Sequence, residues 1–186
     1  MTDQNSYLIL HGWAGNEPEH WQTWLAALLA AEGKTVRYPH LPDFDHPKLD
    51  AWLDTLDEEL AGLAEDLVVA CHSLGSILWM HHAARRSEGR IARAVLVAPP
   101  SPELGMQELA DFFPVPLDPE GIAGAAAETI LVCSDNDPYC PEGAKERFGD
   151  PLGIETVLVE GGRHLSVEAG YGDWPEMASL VVAGTR

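Results

Sequence analysis

Short apolar runs rich in β-branched residues alternate along this chain with longer amphipathic segments. The alternation predicts an α/β fold with three layers, α/β/α, because strands of a parallel sheet are buried on both faces and need helical crossovers. About six strands are predicted, at residues 7–10, 36–38, 67–71, 94–98, 130–133 and 156–159. Helices are predicted at residues 20–31, 49–64, 74–87, 142–148 and 174–182.

Length and composition indicate one domain covering residues 1–186. The apolar fraction of 46% is enough to fill a substantial core, and no repeat, low-complexity tract or linker divides the chain. No apolar run has the length of a membrane span, and the first residues lack the pattern of a signal peptide. We therefore expect a cytoplasmic protein.

The charge of the chain excludes some classes of partner. Thirty acidic residues against eleven basic ones give a formal net charge of −19, which repels nucleic acids and anionic membranes. The three cysteines show no CxxC spacing, and Cys71 and Cys133 lie in apolar runs typical of buried, reduced thiols. The expected partner is a small molecule, and nothing in the sequence indicates an oligomeric state.

Residues 67–78 predict a buried strand, an abrupt turn and a helix, with Ser73 at the turn. This context is typical of a nucleophile elbow, in which the first helical N–H groups point at an oxyanion formed beside the serine. Gly75 matches the second glycine of the G-x-S-x-G pattern, whereas Cys71 replaces the first. The alternative interpretation is that Ser73 only caps the helix that follows.

A nucleophilic serine needs a base and a group that orients the base, and the chain offers both in the order Ser, Asp, His. Asp137 follows the strand at 130–133, at the sheet edge where sites of open α/β folds form. We choose Asp137 over Asp135, which has the alternative role of shaping the turn. His164 follows a glycine turn after the strand at 156–159, and its alternative is an ordinary surface histidine.

The first strand ends in the loop His11-Gly12-Trp13-Ala14-Gly15. We expect the backbone N–H groups of Trp13 and Leu74 to form an oxyanion hole, each donor contributing roughly a few kcal/mol of transition-state stabilisation. The glycines of the loop let the backbone approach a substrate. Read alone, this loop is a weak signal, because glycine turns follow many strands.

Together these stretches resemble the α/β-hydrolase superfamily and, within it, the small serine hydrolase family of YdeN and retinoblastoma-binding protein 9. The similar segments span almost the whole chain and comprise residues 11–13, 20–25, 52–56, 72–75, 134–140 and 164–176. The resemblance implies a minimal hydrolase fold with a triad of Ser73, Asp137 and His164. It also accounts for Cys71, because the family does not require glycine two residues before the nucleophile. It also implies carboxylesterase activity on small acyl substrates. Arg163 departs from the family, which more often has a small residue there.

Residues 101–121 contain four prolines around Phe112 and Phe113, so they predict a short cap rather than a long helix or a central strand. We expect Phe112, Phe113 and Trp13 to contact the substrate, which favours a small or medium apolar acyl group.

The sequence also leaves alternatives to an esterase, which are a metal site, another reaction of the same triad and a binding module. The histidines and aspartates of residues 40–46 match no strong metal motif, so neither a metal nor a cofactor is expected. Thioesterase, lactonase and peptidase chemistry would use the same triad. A catalytically weak or inactive protein-binding module with the hydrolase fold is the alternative from a different class.

Overall fold

A computed structural model of the chain describes residues 6–13, 15–62, 66–86 and 90–184. Its strands are β1 (Ser6–Leu10), β2 (Thr35–Arg37), β3 (Val68–His72), β4 (Ile91–Val97), β5 (Ala126–Ser134) and β6 (Glu155–Val159). They form one sheet in the order β2-β1-β3-β4-β5-β6, and every pair of neighbours is parallel. The predicted sheet is therefore confirmed.

The helices of this part of the chain are α1 (Trp21–Ala31), α2 (Leu49–Leu60), α3 (Leu74–Ala84), α4 (Pro119–Ala125), α5 (Asp150–Leu152) and α6 (Pro175–Ala183). None of them has the length and apolar character needed to cross a lipid bilayer. The predicted ends of the second and third helices, at residues 64 and 87, lie outside the described residues.

Two helical segments differ from the prediction. The helix expected at 142–148 is instead a π-helical turn, Lys145–Gly149, that continues into α5. Helix α4 is not among the predicted helices, and it begins within residues 101–121, whose four prolines argue against a long helix. Pro119 occupies the first turn of α4, where its missing N–H has no helical partner to lose, and the Asp118 side chain accepts a hydrogen bond from the Gly121 N–H.

Alternate side chains of each strand point to opposite faces of the sheet, and each face has its own apolar core. One core joins the sheet to α1 and α6 and includes Trp21, and the other joins it to α2, α3 and α4 and includes Trp52. Both tryptophans are completely buried. The result is the predicted three-layer architecture.

The order of the strands creates a crevice at one edge of the sheet. From β1 the chain moves outward to β2 and then returns to β3 on the other side of β1. The loops that leave β1 and β3 therefore diverge, and open α/β sheets bind ligands at this point. Gly12, after β1, and Ser73, after β3, lie on either side of it.

The segment between β4 and α4 crosses this edge and contains two short 3-10 helices, Pro102–Leu104 and Gln107–Phe112. Several hydrogen bonds hold it against the rest of the fold. The Leu49 N–H, at the start of α2, donates to Asp111 at 2.8 Å, the His81 ring donates to the carbonyl of Phe112 at 2.8 Å, and the Ser101 N–H donates to the carbonyl of Tyr139 at 2.8 Å. The predicted cap is thus a short segment with fixed ends.

Candidate active site

Ser73 occupies a tight turn between β3 and α3. Its backbone has φ 52° and ψ −120°, a conformation that non-glycine residues rarely adopt and that raises its side chain away from the helix. The Ser73 N–H donates to the carbonyl of Val97 at 2.8 Å, which holds the turn against β4. The hydroxyl makes no capping hydrogen bond to α3, so the structure does not support the helix-capping interpretation.

Two glycines allow this turn to pack against the end of β1. A Cβ atom on Gly75 would lie 2.7 Å from the main-chain oxygens of both Leu10 and His11. A Cβ atom on Gly12 would lie 2.8 Å from the Ser73 Cβ. Both distances are shorter than real carbon contacts allow, so these positions require glycine for close approach rather than for backbone freedom.

His164 lies between Ser73 and Asp137. Its Nε2 is 3.0 Å from the Ser73 Oγ, and its Nδ1 is 3.0 and 2.9 Å from the two oxygens of Asp137. A carboxylate can only accept, so Nδ1 carries the proton and Nε2 presents its lone pair to the serine hydroxyl. Asp137 is 3% exposed and also accepts the N–H of Tyr139 at 2.8 Å, which fixes its orientation.

The loop that carries His164 has a strained backbone. Arg163 and Leu165, on either side of the histidine, have φ of 51° and 52°. Left-handed conformations of this kind persist in residues other than glycine only when surrounding contacts enforce them. One such contact is made by the His72 ring, whose Nε2 donates to the carbonyl of His164 at 3.0 Å.

Side chains from the end of β5 hold the same loop. Asp135 accepts the Gly161 N–H at 2.7 Å and Asn136 accepts the Arg163 N–H at 2.7 Å, while the Ser134 hydroxyl donates to the carbonyl of Arg163. The side chain of Asp135 therefore bonds to the loop that carries His164, rather than only shaping its own turn, and it is not hydrogen-bonded to His164.

Three imidazole rings form a row beneath the site. The ring centre of His72 lies 4.6 Å from that of His20 and 5.0 Å from that of His164. Burial is the main cause that holds the pKa of His72 well below its usual range, with smaller contributions from His20 and His164. Burial, and then His164, lowers the pKa of His20 to about 4. Both rings are therefore neutral at neutral pH.

A pocket of about 210 Å³ opens above Ser73. Its walls come from the loops after β1, β3, β5 and β6 and from the capping segment. The residues that line it are Gly12, Trp13, Gly15, Glu17, His20, Gln22, His72, Ser73, Pro100, Met106, Leu109, Tyr139, His164, Ser166 and Glu168.

The two phenylalanines expected to contact the substrate do not line this pocket. Phe112 is completely buried and packs edge-on against Trp52, with ring centres 5.2 Å apart, and Phe113 packs partly buried against the same core. Met106 and Leu109 of the capping segment face the pocket instead. The segment was correctly placed over the site, but its largest side chains anchor it to the fold.

The residues predicted to form an oxyanion hole lie beside Ser73. Leu74 is the first residue of α3, so its N–H has no acceptor within the helix. Trp13 lines the pocket, is 38% exposed, and is held by a hydrogen bond from its indole N–H to the carbonyl of Asp45 at 3.1 Å.

No group of three or more metal-ligating side chains suited to holding an ion occurs within the described ranges, which include residues 40–46. The three cysteines are unpaired and buried. Burial raises the pKa of the Cys133 thiol to about 11 and that of Cys140 to about 12, and it raises the pKa of Cys71 further. Neutral thiols of this kind suit packing rather than catalysis.

Several residues around the site have no role that the sequence predicts, notably His20, His72, Ser134, Asn136 and Tyr139. His72 and Ser134 end buried strands that lead into the site, and this position is the signal that would have singled them out. His20 lies just before α1, far from Ser73 along the chain, so only the fold brings it to the pocket.

Comparisons with known proteins identify the family and the fold of the chain. The model of a family described as serine hydrolase matches residues 7–183. YdeN of Bacillus subtilis (strain 168) is 26% identical over 179 residues, which cover 94% of this chain and 92% of YdeN. The crystal structure of the B. subtilis ydeN gene product matches with a TM-score of 0.85 and 23% identity, covering 97% of this chain and 98% of that chain.

Two more distant structures show the same fold. A protein of the α/β hydrolase superfamily from Xanthomonas campestris pv. campestris has a TM-score of 0.67 and 20% identity, over 97% of this chain and 99% of that chain. The carboxylesterase CesB of Bacillus subtilis has a TM-score of 0.62 and 14% identity, over 100% of this chain and 86% of that chain.

Proposed function

Because the chain belongs to the serine hydrolase family, we propose that it cleaves small carboxylic esters with a catalytic triad of Ser73, Asp137 and His164. The observation that carries this proposal is the placement of His164, whose Nε2 lies 3.0 Å from the Ser73 hydroxyl while its Nδ1 bonds to Asp137. Geometry of this kind activates a serine that is otherwise a weak nucleophile.

In the first half of the reaction, Ser73 Oγ attacks the carbonyl carbon and its proton passes to His164 Nε2. Asp137 stabilises the imidazolium through Nδ1 and keeps the ring in position. The N–H groups of Leu74 and Trp13 donate to the oxyanion of the tetrahedral intermediate. His164 then gives the proton to the leaving alcohol, and an acyl group remains on Ser73.

In the second half, water attacks the acyl-enzyme while His164 takes its proton, and collapse of the second intermediate releases the acid and restores Ser73. The volume of about 210 Å³ suits a small acyl group. Met106 and Leu109 supply apolar surface for it, and the likeness to a carboxylesterase supports the choice of ester over other acyl substrates.

Hydrolysis of p-nitrophenyl acetate, butyrate and octanoate tests this proposal. We expect the wild type to prefer the shorter esters, and Ser73→Ala and Asp137→Asn to lose roughly three orders of magnitude or more in kcat/KM. The matched control is Asp54→Asn, which removes an exposed carboxylate on α2 and is expected to leave kcat/KM unchanged. Full activity in Ser73→Ala would refute the assigned nucleophile.

The alternative, a protein-binding module without catalysis, predicts no turnover of any acyl substrate by the folded protein. Thioesters, lactones and peptide esters belong in the same screen, because all of them would use the same acyl-enzyme. A preference for one of these over simple esters would change the substrate class but not the triad.

A further inference from the structure

His20 is a buried histidine in the wall of the pocket that holds Ser73. Only 5% of its surface is exposed, and the ring lines the pocket together with Ser73, His72 and His164. The triad does not include it, since Asp137 and Ser73 satisfy both nitrogens of His164. The role of the two ring nitrogens of His20 therefore has to be found outside the triad.

The hydrogen bond made by His20 defines which of its nitrogens carries the proton. His20 is the N-cap of α1, and its Nδ1 accepts the backbone N–H of Gln22 at 3.2 Å. A backbone N–H can only donate, so Nδ1 has no proton. The neutral ring therefore carries its proton on Nε2, on the side of the ring away from the helix.

No acceptor for the Nε2–H group is found among the described residues, 6–13, 15–62, 66–86 and 90–184. Among the residues that the structure describes, Gln22 is the only one to which the His20 ring is hydrogen-bonded. The ring is held in place by its neighbours, with its centre 4.6 Å from that of His72 and 5.4 Å from that of Trp21. His20 thus lines the pocket with a fixed ring whose Nε2–H donor has no acceptor in the described part of the chain.

We propose that the Nε2–H of His20 donates a hydrogen bond to an oxygen in the substrate chain next to the scissile ester. The enzyme then prefers esters whose chain contains an ether, hydroxyl or keto oxygen over hydrocarbon chains of equal length. The proposal rests on the proposed function and deepens it by naming the substrate class. A hydrocarbon chain would cover this donor without offering an acceptor, and sites built for a hydrogen bond discriminate against such analogues.

Two substitutions separate this role from helix capping. Asparagine at position 20 supplies an N-cap oxygen near the place of Nδ1 but is too short to reach the place of Nε2. Glutamine places an amide N–H near the position of Nε2 but is a poor N-cap. His20→Asn therefore removes the donor and keeps the cap, whereas His20→Gln keeps the donor and weakens the cap. His46→Asn, at an exposed histidine outside the pocket, is the control.

The experiment compares pairs of esters that differ by one oxygen in place of one methylene. For the acyl side we compare p-nitrophenyl methoxyacetate with p-nitrophenyl butyrate, and for the alcohol side 2-methoxyethyl butyrate with butyl butyrate. The measured quantity is the ratio of kcat/KM within each pair. Intrinsic differences in reactivity between the two esters are the same for every variant, so they cancel when the ratios of variants are compared.

In one of the two pairs we expect His20→Asn to lower the ratio roughly three- to ten-fold, the range of one neutral hydrogen bond. We expect His20→Gln to restore most of it and His46→Asn to leave it unchanged. The pair that responds identifies the side of the ester that His20 contacts. If the wild type hydrolyses these esters but His20→Asn changes neither ratio, the inference is wrong. If the wild type hydrolyses none of them, the proposed function itself fails.

Discussion

Replacing His72 with phenylalanine is expected to loosen the loop that carries His164. The His72 ring donates a hydrogen bond of 3.0 Å to the carbonyl of His164, and phenylalanine keeps the ring but has no donor. Leaving a partly buried carbonyl without its partner costs about 1–3 kcal/mol. The positive φ of Arg163 and Leu165 stores strain of the same order, which favours a shift of the loop when this restraint is lost.

The expected effect on activity follows from this geometry. Misplacement of a catalytic group by about 1 Å can lower the rate about 100-fold, so we expect kcat to fall about 10- to 100-fold with a smaller change in KM. The free energy of unfolding is expected to fall by about 1–3 kcal/mol, measured by urea denaturation.

His72→Gln is the matched variant, because its amide nitrogen reaches about the position of the imidazole Nε2. We expect it to recover most of kcat, although its smaller side chain fills less of the core. The assay is steady-state hydrolysis of p-nitrophenyl butyrate at saturating substrate. If kcat of His72→Phe stays within about twofold of wild type while the protein is folded, the hydrogen bond does not position His164 and the reasoning fails.

Three further predictions concern stability. His20 has a pKa of about 4 in the folded protein against 6.5 when unfolded, so only the unfolded chain gains its proton between these values, and stability falls as the pH is lowered from 6.5 to 4. We measure the free energy of unfolding by urea denaturation at neutral pH and at pH 4. Between these two pH values, the free energy of unfolding should fall by about 3 kcal/mol less in His20→Asn than in wild type, and an equal fall would contradict this. Gly75→Ala should destabilise the protein by about 3 kcal/mol or more because its Cβ meets main-chain oxygens at the end of β1, whereas Gly124→Ala in α4 meets open space and should be neutral in thermal unfolding. Asp111→Ala should lower the free energy of unfolding by about 1 kcal/mol, because the Leu49 N–H at the start of α2 loses its acceptor, and Asp111→Asn should recover most of this.

Much of the sheet and of the site could be predicted from the sequence, because both depend on local patterns. The buried strand that ends at His72 is a continuous apolar run, and the turn at Ser73 follows it directly. Asp137 and His164 are recognisable because each follows a strand, and parallel strands end at one edge of the sheet.

The features that were missed depend on contacts between distant segments. Phe112 looks like a pocket residue in the sequence, but in the structure it packs in the core against Trp52 of α2. The core buries the whole apolar surface of the phenylalanine, whereas the pocket would leave part of it exposed. The role of His20 requires α1 to begin beside the end of β3. Neither contact has a signature in local composition.

The central claim is that Ser73 is an activated nucleophile, and labelling with a fluorophosphonate probe tests it most directly. The modified peptide is identified by mass spectrometry in wild type, Ser73→Ala and His164→Ala, each shown to be folded by circular dichroism. We expect the label on Ser73 in the wild type, no label in Ser73→Ala, and much slower labelling in His164→Ala. A folded wild type that takes up no label, or that is labelled at another residue, would contradict the claim.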